Sequence, residues 1–286
     1  MTLPEAHLYT LTELKKLYDE REAANICNWV LEHVTGKKRV DRLLDKAGLL
    51  PDAQMVRLTS IIHELATHRP VQYVLGEAWF GGMKFYVNES VLIPRPETDE
   101  LVEWIWRESQ KLAVKSQKLL DIGTGSGCIP VSLKKKLPDL EISAIDVSDA
   151  ALMVARQNAS DLGATIAFAQ LDFLAEKNWD ALPVFDIIVS NPPYIKQSEE
   201  SSMHKNVLAF EPSLALFVPD DDALLFYRKI ALFGKKHLSS TGSIFLEINE
   251  ALGKEVISLY ETAGYTCELR KDMQGKGRMV KCNISI

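Results

Sequence analysis

The sequence predicts an α/β fold, in which an open, mostly parallel sheet of about seven strands follows a small N-terminal helical domain and a β-hairpin linker. From Lys118 onward, short apolar runs alternate with amphipathic stretches, which is typical of parallel strands covered by helices. Before about residue 72, apolar residues recur at helical spacing instead. A chain of 286 residues is long enough for two such domains.

The helical domain is expected to span residues 1–72. The segment Thr10–Glu13 has the form of a capping box, which predicts a helix from there to Gly36. Two further helices are predicted, at Val40–Ala47 and after Pro51. We find no catalytic motif in this domain, so we expect it to dock a substrate; the alternative is that it only supports the larger domain.

The linker is expected to span residues 73–98. Gly81 and Gly82 separate two short apolar runs, and paired glycines supply the positive φ angles of a tight hairpin turn. Further on, Arg95 and Glu97 are candidates for a charged pair that shapes the wall of a pocket.

The remaining residues, 99–286, are expected to form the sheet domain. The predicted strands are Lys118–Ile122, Glu141–Asp146, Ile166–Leu171, Phe185–Ser190, Ser243–Ile248, Cys267–Arg270 and Val280–Ile284. The predicted helices between them are Cys128–Leu137, Asp149–Leu162, Asp222–His237 and Leu252–Ala263. This order of elements is that of an open, doubly wound sheet.

Composition excludes several classes of protein. No apolar run is long enough to span a membrane, and the first residues lack the pattern of a signal peptide, so we expect a cytoplasmic protein. The net charge of −6 argues against a large nucleic-acid interface. The four cysteines lie far apart without a CxxC motif, so we expect neither a disulfide framework nor a metal site.

A glycine-rich loop follows the first strand of the sheet domain, in the order Gly123, Thr124, Gly125, Ser126, Gly127. Alternate glycines let the backbone approach a ligand at the start of the next helix. A dinucleotide site would need a glycine where Cys128 stands, and a phosphate-binding P-loop would need Gly-Lys-Ser or Gly-Lys-Thr. The acidic Asp121 ahead of the loop suits a cationic ammonium group, which favours S-adenosylmethionine over NAD.

Polar residues also end the next strands of the predicted sheet. Asp146 can accept hydrogen bonds from both hydroxyls of a ribose, and Asp172 with Phe173 offers an acceptor and an aromatic face for an adenine ring. Because the carboxyl ends of parallel strands meet at one edge, we expect these residues to share one adenosylmethionine site.

The fourth strand ends in Asn191, Pro192, Pro193 and Tyr194. The two prolines stiffen the loop and remove backbone donors, which leaves an amide side chain, carbonyl acceptors and one aromatic ring. Such a loop suits a planar group that has N–H bonds to donate.

These motifs resemble class I adenosylmethionine-dependent methyltransferases that act on amide or exocyclic amino nitrogens. Within that group, the segment Val91–Thr98, with Gly76, Phe80, Phe85 and Val87 before it, resembles the release factor glutamine methyltransferases of the HemK or PrmC type. The likeness covers nearly the whole chain and implies a Rossmann-like catalytic domain. It also implies that the substrate is the glutamine of the Gly-Gly-Gln loop in peptide chain release factors.

Carried over by position, the resemblance implies cofactor contacts from residues 123–127, Asp146, Phe173 and Asn191, beside the Asp172 contact expected above. It implies that residues 191–194 hold the substrate glutamine, with Asn191, Pro192 and Tyr194 as the catalytic residues.

The sequence departs from the family pattern in two places. Asp99 stands where a second glutamate is usual, and the segment Val218–Asp222 replaces a glycine-rich stretch after Glu211-Pro212. The second departure affects a loop that is expected to border the substrate channel.

Two other functions fit the same motifs. A nucleic-acid amino methyltransferase would use the same acceptors on adenine or guanine, although the acidic balance of the chain argues against it. A non-catalytic protein that binds adenosylmethionine would need only the cofactor half of the site. For the enzyme we expect a monomer whose partner is a release factor, with no membrane and no direct nucleic-acid contact.

Overall fold

The computed structural model describes residues 1–111, 117–203 and 205–285. The chain divides into two compact units. The first comprises Met1–Glu77 together with the segment that contains the helix Lys205–Phe210, and the second comprises Ala78–Met203 and Glu211–Ile286.

The first unit is helical. Its helices are α1 (Leu3–Leu14), α2 (Glu20–Thr35), α3 (Arg39–Leu44), α4 (Asp52–Leu65), α5 (Val71–Leu75) and, later in the chain, α9 (Lys205–Phe210). Buried aliphatic residues from α1, α2 and α4 form its core, including Leu14, Val30 and Leu58, which are fully or almost fully inaccessible.

The predicted start of the first helix is wrong. The capping box is formed by Thr2 and Glu5, and Thr10 lies inside α1, where its hydroxyl donates to the Ala6 carbonyl. The expected single helix is two helices, because Asp19 caps α2 with its side chain. An aspartate that accepts from backbone N–H groups starts a new helix as readily as a capping box does.

The second unit begins with the predicted hairpin, of strands β1 (Ala78–Phe80) and β2 (Met83–Phe85). Gly81 and Gly82 make the turn with φ angles of 56° and 73°. The helix α6 (Pro96–Lys111) follows.

The sheet of the second unit has seven strands and confirms the predicted fold class. The strands are β3 (Lys118–Ile122), β4 (Glu141–Asp146), β5 (Ala167–Gln170), β6 (Phe185–Ser190), β9 (Leu238–Glu247), β10 (Tyr265–Lys271) and β11 (Gly277–Ile284). Their order is β10-β11-β9-β6-β3-β4-β5, with parallel pairing from β9 to β5 and antiparallel pairing of β11 with both of its neighbours. A two-stranded sheet pairs β7 (Ile195–Lys196) with β8 (Phe217–Val218).

Helices cover both faces of this sheet. They are α6, α7 (Cys128–Lys136), α8 (Asp149–Asp161), α11 (Leu225–His237) and α12 (Gly253–Thr262). The short helix α10 (Ser213–Leu216) directly precedes β8. Successive residues of a strand point to opposite faces. Leu119 accordingly packs with α6 and α7, whereas Leu120 packs with α11 and α12. The sheet is thus buried on both sides, and its carboxyl edge is the place for a ligand.

The expectation of no disulfide is wrong for one pair of cysteines. Cys267 and Cys282 lie directly opposite each other in the β10–β11 pair and form a disulfide, with a Cα–Cα distance of 4.2 Å. Spacing along the chain does not reveal strand register, which brings the two sulfur atoms together here. Cys27 and Cys128 are buried thiols.

Within the described ranges, no helix is long and apolar enough to cross a membrane.

Candidate functional site

A cavity of about 380 Å³ lies at the carboxyl ends of β3, β4 and β6. Its wall comes from the loops after these strands, from the segment before α6, and from residues near α10, all within the second unit. This position is where open α/β sheets bind ligands, and the volume suits a small organic molecule.

The glycine-rich loop forms the floor of the cavity. Gly123, Gly125 and Gly127 have φ angles of 75°, 53° and 77°, which favour glycine. A Cβ atom at Gly123 or Gly125 would meet nothing within 4 Å, so the backbone there is open to a ligand. At Gly127, however, a Cβ would lie 3.1 Å from the Cβ of Ala155 in α8, so this glycine permits close packing.

The two polar residues of the loop, Thr124 and Ser126, also line the cavity, although each is at most 4% exposed. The N–H groups of Gly123 and Thr124 both donate to the Ile145 carbonyl, at 2.9 and 3.0 Å. The loop is therefore fixed to the end of β4 before any ligand binds.

Asp146 ends β4 at the cavity wall, as predicted from the sequence. Its Oδ2 accepts from the Gly125 N–H and its Oδ1 from the Ser148 N–H, each at 2.9 Å. These bonds fix the orientation of the carboxylate. Each oxygen keeps acceptor capacity for a further donor, such as a ribose hydroxyl.

Asp172 and Phe173 also line the cavity, but they differ in what they offer. Asp172 is exposed, and its Oδ1 accepts from the Leu174 N–H at 3.0 Å. The ring of Phe173 is only 5% exposed and packs against Trp179 and Phe233, each at 5.4 Å between centroids. Most of this aromatic surface is therefore occupied by the core. The apolar neighbours Leu171, Leu174 and Val147 supply additional cavity wall.

Asp121 lies beneath the glycine-rich loop and is fully buried. Both of its carboxylate oxygens and the hydroxyl of Thr124 are without hydrogen-bond partners. Burial raises the pKa of Asp121 to about 7, although the nearby Thr124 hydroxyl, which does not reach hydrogen-bonding geometry, acts to lower it. An unpartnered carboxyl beside the loop favours a bound cation, because a positive charge would stabilise its ionised form.

The raised pKa predicts a change in stability with pH. Between its unfolded pKa near 4 and its folded pKa of about 7, Asp121 holds a proton mainly in the folded state, so this group's contribution to stability falls as pH rises through that range. In the cofactor-free protein, Asp121 should lower the free energy of unfolding by on the order of 2 kcal/mol between pH 5 and pH 8. Asp121→Asn should remove this decrease, because asparagine does not titrate. Urea unfolding at both pH values measures this difference.

The exposed Asp161 in α8 provides the matched control for the loss of a surface carboxylate, and the effect of burial is the difference between Asp121→Asn and Asp161→Asn. If Asp121→Asn shows the wild-type pH dependence, the carboxyl is not held protonated by burial.

Asn191 lies at the carboxyl end of β6 and lines the cavity with Pro192 and Pro193. The end of the strand is fixed because the Ser190 hydroxyl donates to the Ile122 carbonyl of β3 at 2.7 Å. The Asn191 side-chain nitrogen donates to the Thr98 hydroxyl oxygen at 3.1 Å. The side-chain oxygen of Asn191, Oδ1, is therefore available as a hydrogen-bond acceptor.

Tyr194 differs from its neighbours in the loop. Its side chain is half-buried and packs against the core cluster on the α11 and α12 side, and it is not among the residues that line this cavity. Burial, together with the negative charge of Glu247, raises the pKa of its phenol to about 12. The ring of Tyr194 therefore packs behind the loop, and its phenol is neutral.

The charged pair predicted at Arg95 forms with a different partner. Arg95 lines the cavity and contacts Glu211, with 2.6 Å between Nη2 and Oε1, rather than pairing with Glu97 as expected. Glu211 also accepts from the Ile93 N–H at 3.2 Å. The Glu211 carboxylate thus accepts hydrogen bonds from two residues that are distant from it in sequence. It joins two segments of the cavity wall.

The departures from the family pattern have structural roles. Asp220 accepts from the Ser198 N–H at 2.8 Å, and Asp222 forms an ion pair with Arg228. Both contacts stabilise the loop beside β8 without glycines. Asp99 is partly buried in α6, where desolvation raises its pKa.

Sequence reasoning missed two residues of the site, Thr98 and Glu247. The sequence indicates Thr98 only as the last residue of the motif Val91–Thr98, yet it is 2% exposed and hydrogen-bonded to Asn191. Glu247 ends β9 and accepts from the Thr98 hydroxyl at 2.6 Å. A glutamate between Leu246 and Ile248, in an apolar strand, was the available signal.

The cavity fits the adenosylmethionine that the sequence predicts. The open backbone of the glycine-rich loop could hold the amino acid part, Asp146 the ribose hydroxyls, and the apolar wall near Val147 and Leu171 the adenine. The described residues contain no cluster of potential metal ligands.

Two family models match this chain. The family model described as "PrmC N-terminal domain" matches residues 5–76, and the model described as "Methyltransferase small domain" matches residues 103–211. A methyltransferase structure from Pyrococcus furiosus, at 16% identity, has the same fold with a TM-score of 0.52 and covers 82% of this chain and 100% of that one.

Two curated relatives extend over almost the whole chain. The release factor glutamine methyltransferase of Flavobacterium psychrophilum is 46% identical over 95% of this chain and 95% of its own length. The protein of the same name from Bacteroides thetaiotaomicron is 40% identical over 96% of this chain and 98% of its own. At such identity and coverage, the chain belongs to the family of release factor glutamine methyltransferases.

Proposed function

We propose that this enzyme transfers a methyl group from S-adenosylmethionine to the side-chain amide nitrogen of the glutamine in the Gly-Gly-Gln motif of peptide chain release factors. The observation that carries the proposal is the amide of Asn191, held by Thr98 at the wall of a cavity whose floor is an open glycine-rich loop. The names of the curated relatives support the choice of substrate.

An amide nitrogen is a poor nucleophile, because its lone pair is delocalised into the carbonyl group. The nitrogen need not lose a proton before it attacks, so a charged general base contributes little. When the methyl group has passed from sulfur to nitrogen, S-adenosylhomocysteine is the leaving group, and the nitrogen releases one proton to water. The bound cofactor would supply an activated methyl group on a sulfonium sulfur. The task of the protein is to orient the nitrogen and to favour the positive charge that develops on it.

Asn191 and Pro192 perform this task in our proposal. The Asn191 Oδ1 and the Pro192 carbonyl each accept one N–H of the substrate amide, which aligns its nitrogen with the methyl group. Orientation of this kind can supply up to about 7 to 11 kcal/mol of the barrier reduction. Pro193 restricts the loop, and the ring of Tyr194 supports the loop from behind.

The same acceptors would provide specificity. A side chain without two N–H donors leaves buried acceptors unpaired, which costs about 1 to 3 kcal/mol for each group. A glutamine side chain satisfies both acceptors, whereas glutamate does not.

The test is methyl transfer from labelled S-adenosylmethionine to purified release factor, with a Gly-Gly-Glu variant of the release factor and bulk RNA and DNA as parallel acceptors. Label on the glutamine of the wild-type release factor alone is the expected result. Label in nucleic acid alone would favour the amino methyltransferase of nucleic acids, and label in no acceptor would favour a binding protein.

The helical unit has a candidate docking surface on α3. Val40, Leu43 and Leu44 are apolar yet 65%, 62% and 79% exposed. We propose that these side chains contact the body of the release factor, outside the Gly-Gly-Gln loop. Because these side chains are exposed, polar replacements should not disturb the core.

The paired substitution of Leu43 and Leu44 by serine should raise KM for whole release factor about tenfold, because two exposed apolar contacts of roughly 0.7 kcal/mol each would be lost. KM for a short Gly-Gly-Gln peptide should not change. Met153 in α8 is 62% exposed and serves as the control for loss of a surface apolar residue. Equal losses on both substrates would show that the helical unit only supports the fold.

A further inference from the structure

A buried carboxylate is connected to the cavity wall through two hydrogen bonds. The Thr98 hydroxyl donates to Glu247 Oε2 at 2.6 Å, and the Asn191 side-chain nitrogen donates to Thr98 Oγ1 at 3.1 Å. Thr98 and Glu247 are each 2% exposed. Thr98 and Asn191 line the cavity, whereas Glu247 lies behind them.

When Glu247 is ionised, the chemistry of these groups fixes the direction of the bonds. An ionised carboxylate can only accept, and a hydroxyl has a single hydrogen to donate. Once Thr98 gives its hydrogen to Glu247, its oxygen can only accept from Asn191. The nitrogen of the Asn191 amide must therefore face Thr98, which leaves the oxygen for the cavity.

We propose that Thr98 and Glu247 are positioning residues that select the orientation of the Asn191 amide in which its oxygen, not its nitrogen, meets the substrate. The inference rests on the proposed function, because only a substrate with N–H donors requires an acceptor at this point. In the flipped orientation, the Asn191 NH₂ group would oppose the NH₂ group of the substrate glutamine.

The charge of Glu247 decides whether the direction holds. Burial raises the pKa of this carboxyl to about 7, the hydrogen bond from Thr98 lowers it, and nearby charges act in both directions. A protonated Glu247 could donate to Thr98, which could then donate to Asn191 Oδ1 and turn the amide around. The titratable or charged groups that act on Glu247 or respond to it are Arg95, Glu97, Cys128, Tyr194, Tyr227 and Arg278.

The first test replaces Thr98 by valine, which keeps the shape and removes the hydroxyl. With saturating cofactor, kcat on release factor should fall by about 10- to 100-fold, because the amide is no longer held in one orientation. The Kd of the cofactor product, S-adenosylhomocysteine, should change less than about threefold. Thr98→Ser should recover most of kcat, since it restores the hydroxyl.

Two comparisons separate positioning from structural support. Thr10→Val removes another buried threonine hydroxyl, in α1, and should leave kcat unchanged. In an Asn191→Ala background, Thr98→Val should change kcat by less than about twofold, because residues that act through one group are not additive. A further loss of tenfold or more in that background would overturn the inference.

The second test replaces Glu247 by glutamine, whose amide can either accept from Thr98 or donate to it. Glu247→Gln should lower kcat at pH 8 several-fold. With saturating cofactor, wild-type kcat should fall more steeply from pH 8 to pH 6 than kcat of the variant, because Glu247 gains a proton in the wild type only, whereas Asp121 titrates in both proteins. If the wild-type protein methylates release factor and both proteins have the same pH profile, the positioning role is rejected. If the wild-type protein does not methylate release factor, the proposed function itself is rejected.

Discussion

Replacement of Asn191 by alanine is expected to lower kcat on release factor by about 10²- to 10³-fold, the usual loss when one oriented hydrogen-bonding group is removed from a transition state. The reason is that Asn191 Oδ1 would accept an N–H of the substrate amide while the nitrogen becomes a nucleophile. Single-turnover methylation with labelled cofactor measures the effect on the chemical step.

The Kd for S-adenosylhomocysteine should change less than about threefold in Asn191→Ala, because the ribose and glycine-loop contacts remain. Asn283→Ala is the matched control, since this asparagine bonds to Gly242 and Ser243 in the sheet, away from the cavity. Near-normal turnover of Asn191→Ala would exclude the acceptor mechanism.

Replacement of Asp146 by alanine is expected to weaken cofactor binding by about 100-fold or more. The carboxylate would accept two ribose hydroxyls, and hydrogen bonds to a charged group contribute about 1.5 to 3 kcal/mol each. The substitution also removes the acceptor that holds the Gly125 N–H. Isothermal titration with S-adenosylhomocysteine measures the loss, and kcat at saturating cofactor should change far less.

A cofactor analogue without the ribose 2′-hydroxyl distinguishes the two contributions of Asp146. If the carboxylate binds the ribose, the wild-type protein should prefer the normal cofactor by at least tenfold and Asp146→Ala should lose this preference. The exposed Asp149 begins α8 outside the cavity, and Asp149→Ala should keep the preference. An unchanged preference in Asp146→Ala would assign this residue to loop support alone.

Much of the sheet could be predicted because its strands are apolar runs that end in polar residues. The observed bounds of β3, β4 and β6 equal the predicted ones, and the residues after them meet at one cavity. Local sequence is sufficient there, since burial on both faces requires continuous apolar strands and the parallel order brings their carboxyl ends together.

Contacts between distant segments could not be predicted in the same way. The partners of Arg95 and Thr98 lie 116 and 149 residues away, and no spacing rule connects them. The Cys267–Cys282 disulfide depends on strand register, and the burial of Phe173 depends on helices that arrive later in the chain. Local signals also competed at the first helix, because Thr2 and Thr10 are both good caps with a glutamate three residues later, and only packing places Thr10 inside α1.

The long-range bonds of the cavity wall have a consequence for biosynthesis. The glycine-rich loop and Asp146 lie close together in sequence, but Arg95 and Thr98 acquire their carboxylate partners only after Glu211 and Glu247 have been translated. Closing such large loops costs entropy before the contacts form. On the ribosome, the acceptor side of the pocket therefore cannot be complete before Glu211 and Glu247 have been synthesised, and methyl transfer must wait until β9 has joined the sheet.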